Sequence, residues 1–309
     1  MRLSSTARDL PGEPRDLPRE QGEAGFIIVA VLWIIAALAT FASCYAIYVG
    51  NSALAARVSS DRLQSDALIS AGLELTALQL TGRTPDDPRP TGDFRFQLAG
   101  ANVAVNFRTE GARVDLNAAT KELLAGLFET LGAKPSDAAY YADRIIGWRK
   151  KNEGAGQNKE ADAYKDAGLK YLPRQSPFQN VAELRFVLGL PPELVESAMP
   201  FLTIYNGIPQ IDVMAAPPEV IQSLPHMTPD LAKTLLDTRR TSDPKAILSQ
   251  LGQAKDSVSL DPRKANRVNM AIRLKDGRRV NAEAVILQND KDTEPYAILA
   301  WSDDFDGVF

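Results

Sequence analysis

Residues Phe26 to Val49 read FIIVAVLWIIAALATFASCYAIYV, a run of 24 residues without a charge. No other feature constrains the chain as strongly. As an α-helix rising 1.5 Å per residue, such a run crosses a hydrocarbon core of about 30 Å. A secretory signal has an apolar region of only about 7–15 residues followed by a small-residue cleavage site. Here the run is longer, no such site follows it, and the first charge beyond it is Arg57. Residues 1–25 are polar, with Arg2, Arg8, Arg15 and Arg19 set among acids and prolines. The segment therefore reads as a single-pass membrane helix, either a plain anchor or one cut from a polar leader. Gly25 stands directly before Phe26 at the junction, where polar sequence gives way to apolar.

The remaining sequence excludes several function classes. With one cysteine, Cys44, lying inside the apolar run, and one histidine, His226, the chain can form neither an internal disulfide nor a Cys/His zinc site. No Gly-x-Ser-x-Gly and no phosphate loop occurs, so the chain reads as a non-enzyme. His226, between Pro225 and Met227, reads as a turn residue. A net charge of −4 gives no general attraction to nucleic acid.

Leu68, Ala71, Leu75 and Leu78 fall at i, i+3, i+7 and i+10, which predicts that the helix continues past the membrane with one apolar face. The stretch 82–92, with Pro85, Pro88 and Pro90, reads as a loop. Phe94, Phe96 and Leu98 alternate with Arg95 and Gln97, then Val103, Val105 and Phe107 with Asn106 and Arg108. These are two half-buried strands, expected to join at Gly100-Ala101. A second β region closes the chain: an alternating run from Val268 to Leu274, an Asp276-Gly277 hairpin turn, a return strand from Val280 to Leu287 and a third from Tyr296 to Trp301.

Between the two β regions the pattern is helical and carries an imperfect repeat. The first copy, VDLNAATKELLAGL from Val114, leads to Trp148-Arg149; the second, IDVMAAPPEVIQSL from Ile211, leads to Arg239-Arg240. A related half-unit spans Phe178 to Leu202. Each predicts a short helix, a tight turn and a second helix. The chain so divides into a leader (1–25), a transmembrane helix (26–49), a helix with the first strands (50–110), an inserted helical domain (111–264) and closing strands (265–309).

Several motifs in succession resemble a known family. They are Leu-Asn-Ala-Ala from Leu116, I-I-x-W-R from Ile145, F-Q-N-V-A-E-L-R-x-V-x-G-L from Phe178 and I-D-V-x-A-A from Ile211. After them come a Gly-Arg-Arg hairpin, an E-A-V-I-L strand and P-Y-A-I-L-A-W. From about Gly22 onward the chain resembles type II secretion system protein K (the GspK family), a minor pseudopilin of the general secretion pathway. The resemblance implies an α+β, type IV pilin-like fold: a long N-terminal transmembrane helix packed on an antiparallel β-sheet, with a large inserted α-helical domain of helix-hairpin-helix-like repeats. It implies a subunit at the pseudopilus tip that initiates and caps assembly, single-pass in the cell inner membrane with its C-terminal domain in the periplasm. Its implied partners are the I- and J-type minor pseudopilins, other pseudopilins and the prepilin peptidase.

The resemblance also assigns roles to residues. The peptidase would cut after Gly25, and the new Phe26 amine would be methylated. The fifth mature residue, Glu in most pilins, is Ala30 here, as the K-type family implies. An unpaired ionisable group in that place costs about 2.5–3.5 kcal/mol on insertion scales, which a subunit with no earlier neighbour avoids by carrying an apolar residue. Sibling contacts are expected along Leu68, Ala71, Leu75 and Leu78. A calcium ion is associated with the loop after I-I-x-W, where Glu153, Glu160, Asp162 and Asp166 stand; Glu160 and Asp162 are the first candidates. Arg149, Lys150 and Lys151 replace the usual acids there and oppose a cation, so a solvated loop stays open as the alternative. The tail from Asp303 to Gly307 also carries acids, which at a chain end are ordinarily solvated.

The rival reading is a membrane-anchored helix-hairpin-helix DNA-binding or uptake protein. Such hairpins need a Gly-x-Gly so that backbone N–H groups reach a phosphate. The hairpins here read LGAKP, LGLPP and LPHMTP, and no nucleic acid partner is expected.

Overall fold

The computed structural model describes residues 23–81, 91–151, 158–261, 263–289 and 294–303. Residues 1–22, where a leader is expected, most of the proline-rich loop, Glu153 and the acidic tail beyond Asp303 lie outside the described residues. The chain divides into two compact units, 1–63 and 64–309.

In the first unit, helix α1 (Glu23–Thr81) begins. Among the described residues its apolar run packs against nothing: Phe26, Trp33, Phe41 and Tyr48 are each more than two-thirds exposed. The segment is long and apolar enough to cross a membrane. Thr40 and Ser43 donate their hydroxyls to the carbonyls of Ala36 and Ala39, each at 2.8 Å. Hydrocarbon supplies no partner for a hydroxyl, so these bonds let both residues sit in it.

The second unit holds the rest of α1 and two separate hydrophobic cores. The first core lies between α1 and one face of a five-stranded antiparallel sheet. Its strands are β1 (Thr91–Leu98), β2 (Ala101–Thr109), β5 (Ala265–Arg273), β6 (Arg279–Gln288) and β7 (Tyr296–Asp303), in the order β1-β2-β5-β6-β7. Alternation puts Val103, Val105 and Phe107 against Leu68, Ile69 and Leu73. Gly72 marks the closest approach, since a Cβ there would lie 2.6 Å from the sulfur of Met270. The β1–β2 turn falls at Ala99-Gly100, one residue before the expected Gly100-Ala101. Leu98 pairs with Ala101, and both turn residues have positive φ (51° and 78°), the geometry of a two-residue primed turn that follows the strand twist. The second hairpin turns through Asp276 and Gly277, with Gly277 at φ 89°.

The second core belongs to the stretch between β2 and β5. These two strands are neighbours, with Thr109 opposite Asn266. The helical domain therefore occupies the place of a hairpin loop in a simple meander, and a long excursion there costs little loop entropy. It contains β3 (Val114–Asp115), α2 (Lys121–Thr130), α3 (Pro135–Arg149), α4 (Lys159–Asp166), α5 (Pro192–Ala198), β4 (Leu202–Thr203), α6 (Pro218–Gln222), α7 (Pro229–Thr238) and α8 (Pro244–Gln250). Thr120, Thr228 and Asp243 cap α2, α7 and α8 with side-chain oxygens that accept backbone N–H bonds.

Candidate functional site

The repeat is real in its bonding as well as its letters. At the head of each copy an aspartate carboxylate accepts the N–H two residues on, Asp115 from Asn117 at 2.7 Å and Asp212 from Met214 at 2.9 Å. At the foot of each second helix an arginine reaches back to the same loop. Arg149 donates to the carbonyls of Leu116 and Ala119, and Arg239 to those of Val213 and Ala216. Each copy also returns a parallel strand contact, Val114 to Leu202 and Ile211 to Val258. The related half-unit opens in a 3-10 turn (Val181–Phe186) rather than an α-helix, and it docks on the first copy through Asn117. The Asn117 amide donates to the Phe178 carbonyl at 2.9 Å, and its oxygen accepts the Phe178 N–H at 2.7 Å.

Each hairpin holds one left-handed residue: Gly132, Gly189 and His226. The following helices α3, α5 and α7 open on Pro135, Pro192 and Pro229. Proline has no N–H to offer a phosphate. Arg149 and Arg239, which in sequence look like available cations, are bound to backbone carbonyls.

Burial raises the carboxyl pKa of both head aspartates, that of Asp212 to about 6, against the opposing pull of backbone N–H bonds. The folded chain thus holds the Asp212 proton more tightly than an unfolded chain, where an aspartate titrates near 3.9. Stability falls as pH rises from about 4 to about 6, by up to about 3 kcal/mol. Asp212→Asn keeps the acceptor for Met214. It should match the parent at pH 4 and melt higher at pH 7, with the pH slope between them removed. Thermal melting across that range checks this; parallel curves would defeat it.

Glu160 and Asp162 are not brought together. Glu160 faces α3, where its carboxylate pairs with Arg144 at 3.1 Å and lies against Gly147. Asp162 points outward and pairs with Lys165 at 3.2 Å. Among the described residues no three carboxylate, histidine or cysteine side chains converge on one point. A calcium ion needs 6–8 oxygen ligands, and these two residues, each already neutralised by its own cation, do not fit a shared ion.

The helix face is also redistributed. Leu68 is 1% exposed in the core against the sheet, whereas Leu78 is 67% exposed and Ala71 and Leu75 are half-buried. Leu68 therefore cannot meet a sibling subunit, because it is already covered by this chain's own sheet. Of the expected face, Ala71, Leu75 and Leu78 remain at the surface. In the first unit Gly25 and Phe26 lie at the start of α1, and Ala30 is half-buried.

Sequence reading missed the junction where the inserted domain leaves and rejoins the sheet. Glu110, just past β2, is fully buried. Its carboxylate accepts Arg267 Nε from β5 at 2.7 Å and the hydroxyl of Thr203 from β4. Arg267 also pairs with Glu283 of β6. Arg267 and Glu283 share one sheet face across a hairpin and could have been paired from register alone. Glu110 could not, since 157 residues separate it from Arg267.

Residues 98–207 match the family model of type II secretion system protein K, first domain. Comparison with curated proteins finds no match. Among solved structures, a chain of the GspK-GspI-GspJ complex from the enterotoxigenic Escherichia coli type 2 secretion system superposes with a TM-score of 0.58. The identity is 15%, over 80% of this chain and 98% of that one, a likeness of fold. Residues 98–207 thus resemble protein K of type II secretion, and the chain has the pilin-like fold found in that complex.

Proposed function

We propose that this chain sits at the tip of a type II secretion pseudopilus, where it starts and caps the fibre and carries out no catalysis. The observation that carries this reading is the domain with its own core inserted between two neighbouring strands of a pilin-like sheet. In a helical fibre the same heterologous contact repeats from subunit to subunit. A pilin head with so large an addition accepts neighbours below it and obstructs one above. Ala30, in place of an ionisable residue, agrees with a subunit that has no earlier neighbour to pair with.

The solved relative was crystallised with GspI and GspJ, which supports I- and J-type pseudopilins as partners here, meeting α1 along Ala71, Leu75 and Leu78. The long apolar helix α1 supports anchorage in the inner membrane, with the folded domains in the periplasm. Prepilin peptidase would release the mature chain at Phe26 by cutting after Gly25.

The test is to express the full chain with its I- and J-type siblings and purify it from membranes. Mass spectrometry should give a mature N-terminus at Phe26, methylated, and light scattering a finite complex with one copy of each subunit. Intact precursor as the final form, no association with either sibling, or open-ended polymerisation of this chain alone would each defeat the reading.

A further inference from the structure

From Asn269 to Arg273 the face of the sheet turned away from α1 is open, and at the Arg273 end it is built for anions. Arg273 of β5 and Arg279 of β6 stand directly opposite each other. Like charges in that relation destabilise a strand pair. One strand row away, Arg95 of β1 is in register with Ala104, Ala104 with Ala271, and Ala271 with Asn281. Alanine and asparagine are poor strand formers, yet they occupy central strands here. Their short side chains leave a hollow of about 870 Å³ walled by Arg95, Arg273 and Arg279. No carboxylate lines it. Among the described residues these three arginines and the adjacent Lys275 have no carboxylate partner. Four cations with no carboxylate partner among the described residues, at one end of a sheet, are notable in a chain of net charge −4.

The second unit begins at this end of the sheet. Gln64 donates to the carbonyl of Ala99 in the β1–β2 turn at 3.4 Å, and Gly100 of that turn lies against Lys275. Only 14 residues lie between Val49 and Gln64. Even fully extended, such a tether reaches no more than about 50 Å, so the cations stay at high local concentration relative to the bilayer surface.

We propose that Arg95, Arg273, Lys275 and Arg279 seat the phosphates of anionic phospholipids in the bilayer that holds α1. Planar guanidinium groups take a phosphate in bidentate fashion. A phosphate between Arg273 and Arg279 also relieves their mutual repulsion. The inference rests on the membrane-anchored reading above.

The full chain is placed in lipid nanodiscs of zwitterionic lipid alone or with about one-third phosphatidylglycerol, both carrying a trace of lipid with a photoreactive headgroup. Cross-links are mapped by mass spectrometry. In the anionic discs they should fall on residues 271–281, and drop about tenfold or more in neutral discs and in the double variant R273Q/R279Q. That variant removes a like-charge pair and should melt no lower than the parent. Equal labelling in the two lipids, or an inserted chain with an unlabelled hairpin, overturns the inference alone. So does a variant that keeps its labelling but loses its sibling subunits, since the surface would then dock protein. A chain that enters neither disc overturns the anchor reading and this inference together.

Discussion

Replacing Arg267 by methionine should lower the stability of the second unit by about 3–5 kcal/mol, because it strands a fully buried carboxylate. Glu110 is 0% exposed, and Arg267 supplies its shortest ion pair. Arg113 stands 4.0 Å away, and Thr203 offers only a neutral hydroxyl. Neither replaces a guanidinium at 2.7 Å. For a unit of this size the loss corresponds to roughly 10–15 °C in melting temperature. The double variant E110M/R267M should recover most of it, since two apolar groups leave no charge to solvate. Melting of the full chain in detergent checks both. If the single variant melts within about 2 °C of the parent, Glu110 has another partner and the junction is not held as described. The prediction bears on function through position, because these residues sit where the inserted domain is joined to the sheet. A loosened junction would leave both cores intact while freeing the domain that is proposed to cap the fibre.

The architecture was legible wherever one local pattern settled it. An uncharged run, two alternating pairs of strands and a turn marked by Asp276-Gly277 each have a single physical solution, and the sheet follows from them. The repeat was legible too, since both copies keep the aspartate, the paired alanines and the terminal arginine. What the letters did not show is where those arginines point: nothing local distinguishes a cation free for phosphate from one pinned to the Leu116 carbonyl. The helix face was misjudged for a related reason. Residues at i, i+3, i+7 and i+10 drift around a real helix, so Leu68 lies in the core while Leu78 is exposed. The pairing of Glu160, a calcium candidate by sequence, with Arg144 was not legible, because the two are sixteen positions apart and adjacent only once α3 and α4 pack. Glu110 illustrates the limit, since Thr203 and Arg267 reach it from two strands remote in the chain.

Gly126→Ala should disrupt the inserted domain, although alanine is the better helix former by about 1 kcal/mol. A Cβ at Gly126 would lie 2.3 Å from the backbone carbonyl oxygen of Ser223 and 3.1 Å from its carbon. Gly126 belongs to α2 and Ser223 follows α6, the first helices of the two repeat copies, and the two residues hold the same place in their repeats. The contact is thus the point where the two copies cross. Ser223 keeps its side chain clear by donating it to the carbonyl of Val220 at 2.7 Å. Backbone on one side and a packed core on the other leave no soft group to yield, and overpacking of this kind costs about 1–3 kcal/mol or more. Gly147→Ala supplies the contrast. Its Cβ would meet the Glu160 carboxyl at 2.5 Å, the mobile end of a side chain, which can turn aside at the expense of its pairing with Arg144. The expected order is a melting loss of several degrees or failure to fold for Gly126→Ala, and a clearly smaller loss for Gly147→Ala. The reverse order, or two equal losses, would mean that the copies do not cross at Gly126.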